Sequence, residues 1–491
     1  MKKAKVMLIQ PPQLLYKKNL KRCVPPLGMA YIAGVLEQDG FDVQILDAYV
    51  EGYENEKQVM YDFILCGLDW DEIKRRVQAF KPNFVGISGM FDSQDKTVLT
   101  ACKIVKEVNP EIKIFVGGSH PTYFTEDVLK IPEMDFVILH EAEYTTRDLL
   151  NRLVRNQDIY DIPGLGYKKD GKISINKEVK WIENIDELPM PARHLLPMEK
   201  YIRIGMHHSP FTKGKRVTQM VSSRGCTAKC IFCTSVIFWG GAKQYRVRSP
   251  KLVVDELEHL VKTYGIDEVH WDDDNFSLNR KNCEEVLDEM IRRNLNINWA
   301  TPNGIAVWAL DEKLIEKMAQ AGCYQLTFAI ESANQEFLIK NIKKPLNLMK
   351  VKPLLNKAHE CGISVHAFFI IGFPGETKEM IYNTLKYAEE TDFDSVSVHI
   401  ATPLFGTELY KICKENDYLV EDFDPTKNIY KMANIKTKEF TPDELQQLSS
   451  EYMKRINEKL KEKKPELYSM KYDKVKQKLQ DKDIEVEKVV L

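Results

Sequence analysis

The sequence predicts an α/β protein: a doubly wound, Rossmann-like domain, then a partial (βα)6 barrel of the TIM type, then a helical C-terminal extension. Three observations carry this. Short apolar runs alternate with helical periodicities twice along the chain; a proline-bearing stretch with weak patterning separates the two series; and the sequence turns rich in Lys and Glu beyond Tyr410. Strands alternating with helices imply parallel strands joined by right-handed crossovers. The 491 residues allow about three domains at ~150 residues apiece.

The first series reads as strand KVMLIQ, an amphipathic helix over Leu27–Gln38, strand VQILD, a helix near Asp71–Phe80 and strand FVGIS. A helix near Asp95–Val108, strands KIFVGG and FVILH, and a helix from about Ala142 to Val154 complete a domain over residues 1–155. Ligands of such sheets sit outside the carboxyl ends of the strands, here Gln10–Pro12, Ser88–Ser93 and Gly117–Thr122. The first of these loops carries Pro11 and Pro12 and no G-x-G-x-x-G, which removes support for a pyrophosphate-binding dinucleotide fold. Residues 156–214, with Pro189, Pro191 and Pro197, read as a connecting region.

The second series runs VTQMVSS, a helix over Pro250–Tyr264, EVHWD, a helix over Arg280–Asn294, INWAT and a helix over Asp311–Ala321. QLTFAI, a helix around Leu348–Cys361, SVHAFFII, a helix over Glu376–Glu390 and SVSVHI follow. Six strand-helix units within residues 215–410 suit a partial barrel better than a full eight-stranded one, with reactive groups on loops at the strand ends. In residues 411–491 one helix is capped at Thr441 and Pro442 and runs to about Lys463. Its charge density reads as a solvated appendage.

Lys plus Arg (70) and Asp plus Glu (72) nearly cancel, so no global field gathers nucleic acid or anionic membrane. No segment approaches the ~18–20 unbroken apolar residues of a membrane span, and the reading is a soluble cytoplasmic protein. Ten cysteines, three of them packed closely and seven scattered, do not form the framework of a secreted disulfide scaffold.

The three are Cys226, Cys230 and Cys233, a C-x-x-x-C-x-x-C in SSRGCTAKCIFC just after the first strand of the second series. Four cysteines close an iron-sulfur cubane coordinatively, whereas three leave one iron open to chelate a substrate. Structural zinc would need a fourth ligand, usually from a second C-x-x-C or a His pair. Cys283, Cys323, Cys361 and Cys413 are isolated, and His207 and His208 lack ligand spacing.

Residues 216 to about 410 resemble the core of the radical S-adenosylmethionine superfamily, whose signature is this triad. The resemblance implies a 4Fe-4S cluster on Cys226, Cys230 and Cys233, and S-adenosylmethionine as cosubstrate. It places Phe232 as the aromatic before the third cysteine and WDDDNF (Trp271–Phe276) as the loop receiving the methionyl amine, with Asp273 and Asp274 as contacts. Glu331 and Ser332 of AIES would lie near the ribose, and IIGFPGE (Ile370–Glu376) supplies the Gly-rich turn with Gly372.

The first ~150 residues resemble the cobalamin-binding domain fused to one large subgroup of that superfamily, through CVPPLGMAYIAGVLE, FVGISG and FVGGSHPT. This implies cobalamin contacts from Leu27, Gly28, Ser88, Gly89, Gly117, Gly118, Ser119 and Glu141, small residues letting backbone approach a bulky flat ligand. The D-x-H-x-x-G signature is absent, which points to base-off cobalamin without a histidine on cobalt. HEAE (His140–Glu143) stands where G-E-G-E is common. For His120 and His140 loop or core roles outweigh ligation.

The two resemblances together imply a cobalamin-dependent radical methyltransferase acting on an unactivated carbon of a small-molecule or peptide substrate. Its reductant would be a flavodoxin or ferredoxin. The alternative keeps both domains for a rearrangement or oxidative cyclisation without methyl transfer. A methylthiotransferase would show further cluster cysteines and a C-terminal RNA-binding barrel, and an electron carrier a fourth thiolate near the triad.

Overall fold

A computed structural model describes residues 4–17, 20–60, 63–90, 94–209, 212–424 and 432–469. Residues 91–93 of the second strand-end loop and residues 425–431 and 470–491 of the expected C-terminal extension lie outside these. The chain divides into two compact units, Met1–Ile204 and Gly205–Leu491.

In the first unit a seven-stranded sheet has the order Lys172–Ile175, Leu165–Lys169, Phe136–Ile138, Lys113–Gly117, Phe84–Ser88, Lys5–Gln10, Asp42–Asp47. The last five strands are mutually parallel and almost continuously buried, as a parallel sheet covered on both faces requires. Strand order reverses at Lys5–Gln10, between Asp42–Asp47 on one side and Phe84–Ser88 on the other, the switch point of a doubly wound sheet.

Three features here depart from the sequence reading. Leu27–Gln38 is not amphipathic in place: Leu27, Met29, Ala30, Tyr31, Ala33, Gly34, Val35 and Leu36 are all buried. The proline segment covers its outer face. Ala192 N donates to Ala30 O at 2.9 Å, and a Cβ on Gly34 would stand 2.9 Å from Met190 O. The expected connector is also partly sheet, since Leu165–Lys169 and Lys172–Ile175 form an antiparallel hairpin on the edge strand Phe136–Ile138. A separate antiparallel sheet of Gln13–Tyr16, Phe63–Cys66 and Glu56–Met60 had no alternating signal strong enough to announce it.

The second unit is built on six parallel strands in chain order: Val217–Met220, Glu268–Trp271, Asn298–Ala300, Cys323–Glu331, Ser364–Ile371 and Ser395–Ile400. This is an open (βα)6 arrangement with the first and last strands at its two ends. Its helices start where side chains satisfy the first free N–H groups: Asn279, Asp311 and Thr377 cap Arg280–Arg292, Glu312–Gln320 and Lys378–Glu390.

The solvated-appendage reading of the C-terminal helix is corrected. Pro442–Lys463 begins with a capping box between Thr441 and Glu444, but Leu445, Met453, Ile456 and Leu460 are buried. The helix docks on the edge strand Ser395–Ile400 and on Lys378–Glu390. Ser449 Oγ donates to Val398 O at 3.2 Å, and Arg455 pairs with Glu389 at 2.8 Å. The Lys and Glu side chains form its outer face, while an apolar stripe shields a sheet edge that would otherwise be open.

Candidate active site

The strand Val217–Met220 leads to Ser223 and Arg224, which pair antiparallel with Val247 and Arg246. The chain then turns at Gly225, where φ is +88° and a Cβ would lie 2.8 Å from Gln244 O. Only glycine fits both demands. Cys226 follows directly, Cys230 is buried, and Cys233 is the N-cap residue of the short helix Thr234–Phe238. Between them Ile231 is held on both sides, donating to Ile342 O at 3.1 Å and accepting from Leu409 N at 2.9 Å.

Burial raises all three thiols, Cys230 to about 12. The metal-free site is therefore protonated near neutral pH, and loading it as thiolates releases protons. Among the described residues, no three His, Cys, Asp or Glu side chains converge as the ligands of a single metal ion do. Three thiols in one loop match the donor set of a cubane with one open iron, whereas structural zinc takes four ligands.

The acidic loop clamps the cysteine loop. Asp273 is buried and accepts from Ser222 N at 3.1 Å, Ser222 Oγ at 2.7 Å and the Ser223 hydroxyl. Burial pushes its carboxyl up to about 6 against the lowering effect of these bonds. Asp274 accepts from Gly225 N at 3.1 Å, Trp239 Nε1 at 2.8 Å and the Ser235 hydroxyl. Both carboxylates thus face donors of the cysteine segment. Asn275 was missed as a site residue although it lies within WDDDNF: its amide N–H points at Cys226 Sγ, 3.8 Å away, while its Oδ1 accepts from Ala306 N at 2.7 Å. An N–H aimed at sulfur favours the thiolate.

Phe232 packs on Phe373 at a 5.7 Å ring separation, so the cysteine loop and the Gly-rich turn meet. In that turn Gly372 N donates to Glu376 Oε2 at 2.8 Å. A Cβ on Gly372 would fall 2.5 Å from Leu445 Cδ1 of the C-terminal helix. Glu331 stands in the left-handed region at φ +71° and pairs with Lys344 at 2.9 Å. Ser332 Oγ accepts from Asn334 N at 3.2 Å and approaches Thr384 Oγ1 at 3.3 Å. Lys344 had no signal in the sequence, because the pair Lys343-Lys344 looks like ordinary surface charge.

In the first unit Ser88, Gly89, Gly117, Gly118 and Ser119 lie together on adjacent strand ends, with Gly89 N donating to Gly117 O at 2.8 Å. Gly118 has φ +117°, and a Cβ there would stand 2.6 Å from Gly89 O, so the two loops meet backbone to backbone as one small-residue ledge. Leu27 and Gly28 open the helix after the first strand, and a Cβ on Gly28 would meet nothing within 4 Å. This small-residue ledge beside the switch point suits a flat ligand. Glu141 is buried, and one of its carboxylate oxygens accepts from Ile182 N at 2.9 Å.

Comparison with known proteins agrees with these two units. The B12 binding domain matches residues 14–150 and the Radical SAM superfamily residues 220–388. The chain is 39% identical over 458 residues to cytidylyl-2-hydroxyethylphosphonate methyltransferase of Streptomyces wedmorensis, covering 87% of this chain and 84% of that protein. It is 29% identical to anaerobic magnesium-protoporphyrin IX monomethyl ester cyclase of Rubrivivax gelatinosus, over 85% of this chain and 70% of that one. Its fold matches the radical S-adenosylmethionine methyltransferase TsrM of Kitasatospora setae, solved with cobalamin and a [4Fe-4S] cluster, with TM-score 0.67, 16% identity and coverage of 86% and 76%. Both domains in one chain and a relative of this identity across nearly its whole length establish that the chain belongs to the cobalamin-dependent radical S-adenosylmethionine methyltransferase family.

Proposed function

We propose that this enzyme methylates an unactivated carbon of a small-molecule or peptide substrate, with Cys226, Cys230 and Cys233 as the thiolates of its cluster. The observation that carries this is the occurrence in one chain of a clamped three-thiol loop and a small-residue ledge at a sheet switch point. When bound, the cluster supplies the electron that cleaves S-adenosylmethionine, and cobalamin carries the methyl group.

The chain's own residues position and enclose. Asp273 and Asp274 hold the cysteine loop, Asn275 offers an N–H to Cys226, and Phe232 packs the loop on the Gly-rich turn. We assign residues 1–155 to cobalamin, 156–214 to connection and 215–410 to the radical core, with 411–491 as an extension. Leu27, Gly28, Ser88, Gly89, Gly117, Gly118, Ser119 and Glu141 form the cobalamin surface in this reading, Glu141 also accepting from Ile182 N. Glu331, Ser332 and Gly372 edge the S-adenosylmethionine site. Cobalamin is held base-off in this reading: the D-x-H-x-x-G signature is absent, and His120 is stacked on Phe124 at 4.7 Å and lies 3.8 Å from Asp95. Ten free thiols fit a reducing cytoplasm with a flavodoxin or ferredoxin as donor. No described helix is long and apolar enough to cross a membrane.

A second reading, oxidative cyclisation without methyl transfer, is favoured by the similarity to the porphyrin ester cyclase. Incubation with methyl-labelled S-adenosylmethionine and a strong reductant separates the two. Cytidylyl-2-hydroxyethylphosphonate, the compound in the name of the 39% relative, is the first substrate to assay. Methylation should yield labelled product, with deoxyadenosine and S-adenosylhomocysteine in equal amounts. Deoxyadenosine alone, with no methyl gained, would select the cyclase reading. Replacing Cys226, Cys230 and Cys233 together by Ala should abolish iron and sulfide retention; full cluster content in that variant would overturn the thiolate assignment.

A further inference from the structure

We propose that the concave wall formed by the last two strands of the second unit is an anion site of the substrate chamber, fitted to a phosphoryl or phosphonyl group, with His366, Ser395, Ser397 and His399 as its contacts. This rests on the chain being an enzyme of the kind proposed, whose open barrel takes the substrate.

The strand register decides which side chains face the concave side. In Ser364–Ile371 every second residue, Val365, Ala367, Phe369 and Ile371, is buried, and Phe369 meets Tyr387 of the covering helix Lys378–Glu390 at a 6.2 Å ring separation. The alternate residues therefore point away from the helices. His366 is paired with Ser395, Phe368 with Ser397 and Ile370 with His399, so these six share the concave face. In a closed barrel that face is packed with bulky branched apolar side chains. Here it carries imidazoles and hydroxyls, and Ser364, His366, Phe368 and Ile370 are part-exposed, as is His399. A polar strand face that keeps contact with solvent lines a chamber and not a dry core.

The wall across from it is already occupied. Ser209 Oγ donates to Gln325 Oε1 at 3.2 Å, and the His207 ring stands edge-on to His270 at 5.9 Å. Residues just before the first strand thus engage polar groups of the second and fourth strands. Acidic side chains belong to that side too: Glu268 lies 2.8 Å from His270, and Asp272 lies 3.0 Å from His208. The strands Ser364–Ile371 and Ser395–Ile400 contain no Asp or Glu, so the open wall is the one without carboxylates.

His366 is held at both ring nitrogens. Its Nδ1 lies 2.6 Å from Ser395 Oγ and its Nε2 3.2 Å from Ser397 Oγ. A ring N–H that donates to a hydroxyl leaves that hydroxyl's own hydrogen to donate elsewhere. With both nitrogens protonated, the wall presents two O–H donors beside a cationic ring, a charge-assisted donor set for an oxyanion. His399 extends it: the Phe368 ring has His366 at 4.9 Å and His399 at 5.6 Å, both edge-to-face, and spaces the two imidazoles along the wall. A phosphoryl or phosphonyl group brings three acceptor oxygens to these donors, one more than a carboxylate.

The test is a titration of the reconstituted full-length chain, its histidine rings labelled for magnetic resonance, with inorganic phosphate and with chloride at matched ionic strength. His366→Gln and His399→Gln identify the two ring signals. Phosphate should move both along a saturable curve, methylphosphonate should reproduce the movement, and chloride should not. In the double variant Ser395→Ala, Ser397→Ala the phosphate needed for half the movement should rise about tenfold or more, as loss of hydrogen bonds to a charged group implies. The single Ser→Ala variants are read in the same way where the double variant does not fold. Signals that stay in place with phosphate, signals that move equally with chloride, or Ser variants with the parent's phosphate dependence overturn the inference. Methylphosphonate without effect overturns the ligand class. Weaker S-adenosylmethionine binding in the Ser variants overturns it as well, moving these hydroxyls to the cosubstrate. Failure of the methyltransferase reading is distinguishable, because it appears as no label gained in the methyl-labelled incubation, whatever phosphate does.

Discussion

The barrel-like unit contains a carboxylic acid whose ionisation should be visible as a pH dependence of stability. Glu376 is fully buried. Its Oε2 accepts from Gly372 N at 2.8 Å and Phe373 N at 3.1 Å, while its Oε1 is buried with no hydrogen-bond partner. Burial raises the carboxyl from 4.5 to about 7, only partly opposed by the two backbone bonds. Because the folded value lies above the unfolded one, the folded state keeps the proton longer, and the stability that proton confers is complete below the unfolded value. It is lost as pH rises from 4.5 to about 7 and is flat beyond. At about 1.36 kcal/mol per pH unit the loss comes to about 3 kcal/mol. Glu376→Gln keeps an acceptor for Gly372 and Phe373 at similar volume but cannot ionise. Burying its amide without an acceptor costs about 1–3 kcal/mol at every pH. Urea unfolding of the metal-free protein can be followed by indole fluorescence, since Trp239, Trp271, Trp299 and Trp308 belong to this unit and only Trp70 and Trp181 to the other. Asp273 and Asp47, both raised to about 6, impose a slope of the same sign, so the difference between parent and variant is the relevant quantity. Between about pH 5 and about pH 8 that difference should move by about 2.5 kcal/mol in favour of the variant. Parallel curves for the two proteins would refute the reasoning.

Two further outcomes follow from the packing around the cysteine loop. Asp274→Ala removes the acceptor shared by Gly225 N, Ser235 Oγ and Trp239 Nε1; it should cost about 1–3 kcal/mol and lower iron retention on reconstitution, checked by iron analysis together with the Trp239 emission maximum. Gly372→Ala places a Cβ 2.5 Å from Leu445 Cδ1 at φ +88°; backbone strain of about 1–2 kcal/mol adds to overpacking of about 1–3 kcal/mol. A second change, Leu445→Ala, should relieve only the overpacking, and thermal unfolding of the single and double variants reads the split.

What could be read from the sequence was local. The triad's spacing, the order of strand-helix units, the Thr441 capping box and the glycines at strand ends are all properties of neighbouring residues, and local preferences and periodicity report such properties directly. Leu27–Gln38 shows where that stops: its bounds follow from periodicity, but its outer face is buried by residues around Ala192, so its apparent amphipathicity did not survive folding. The C-terminal helix shows the same limit, with charge density announcing a solvated element and Leu445, Met453, Ile456 and Leu460 finding a sheet edge to cover. The candidate site divides in the same way. Cys226, Cys230 and Cys233 announce themselves, whereas the bonds that hold their surroundings join residues far apart in the chain: Asp274 lies 49 residues from Gly225, and Lys344 pairs with Glu331 across 13 residues. A hydrogen bond or ion pair leaves no periodic trace in sequence when its partners meet only through the crossing of separate strands and loops. The sequence by itself therefore determined the fold class, the two cofactor-type units and the three thiols; the tertiary structure decided which carboxylates clamp the thiol loop and that Lys344 is buried against Glu331, because only folding brings those charges within reach of one another.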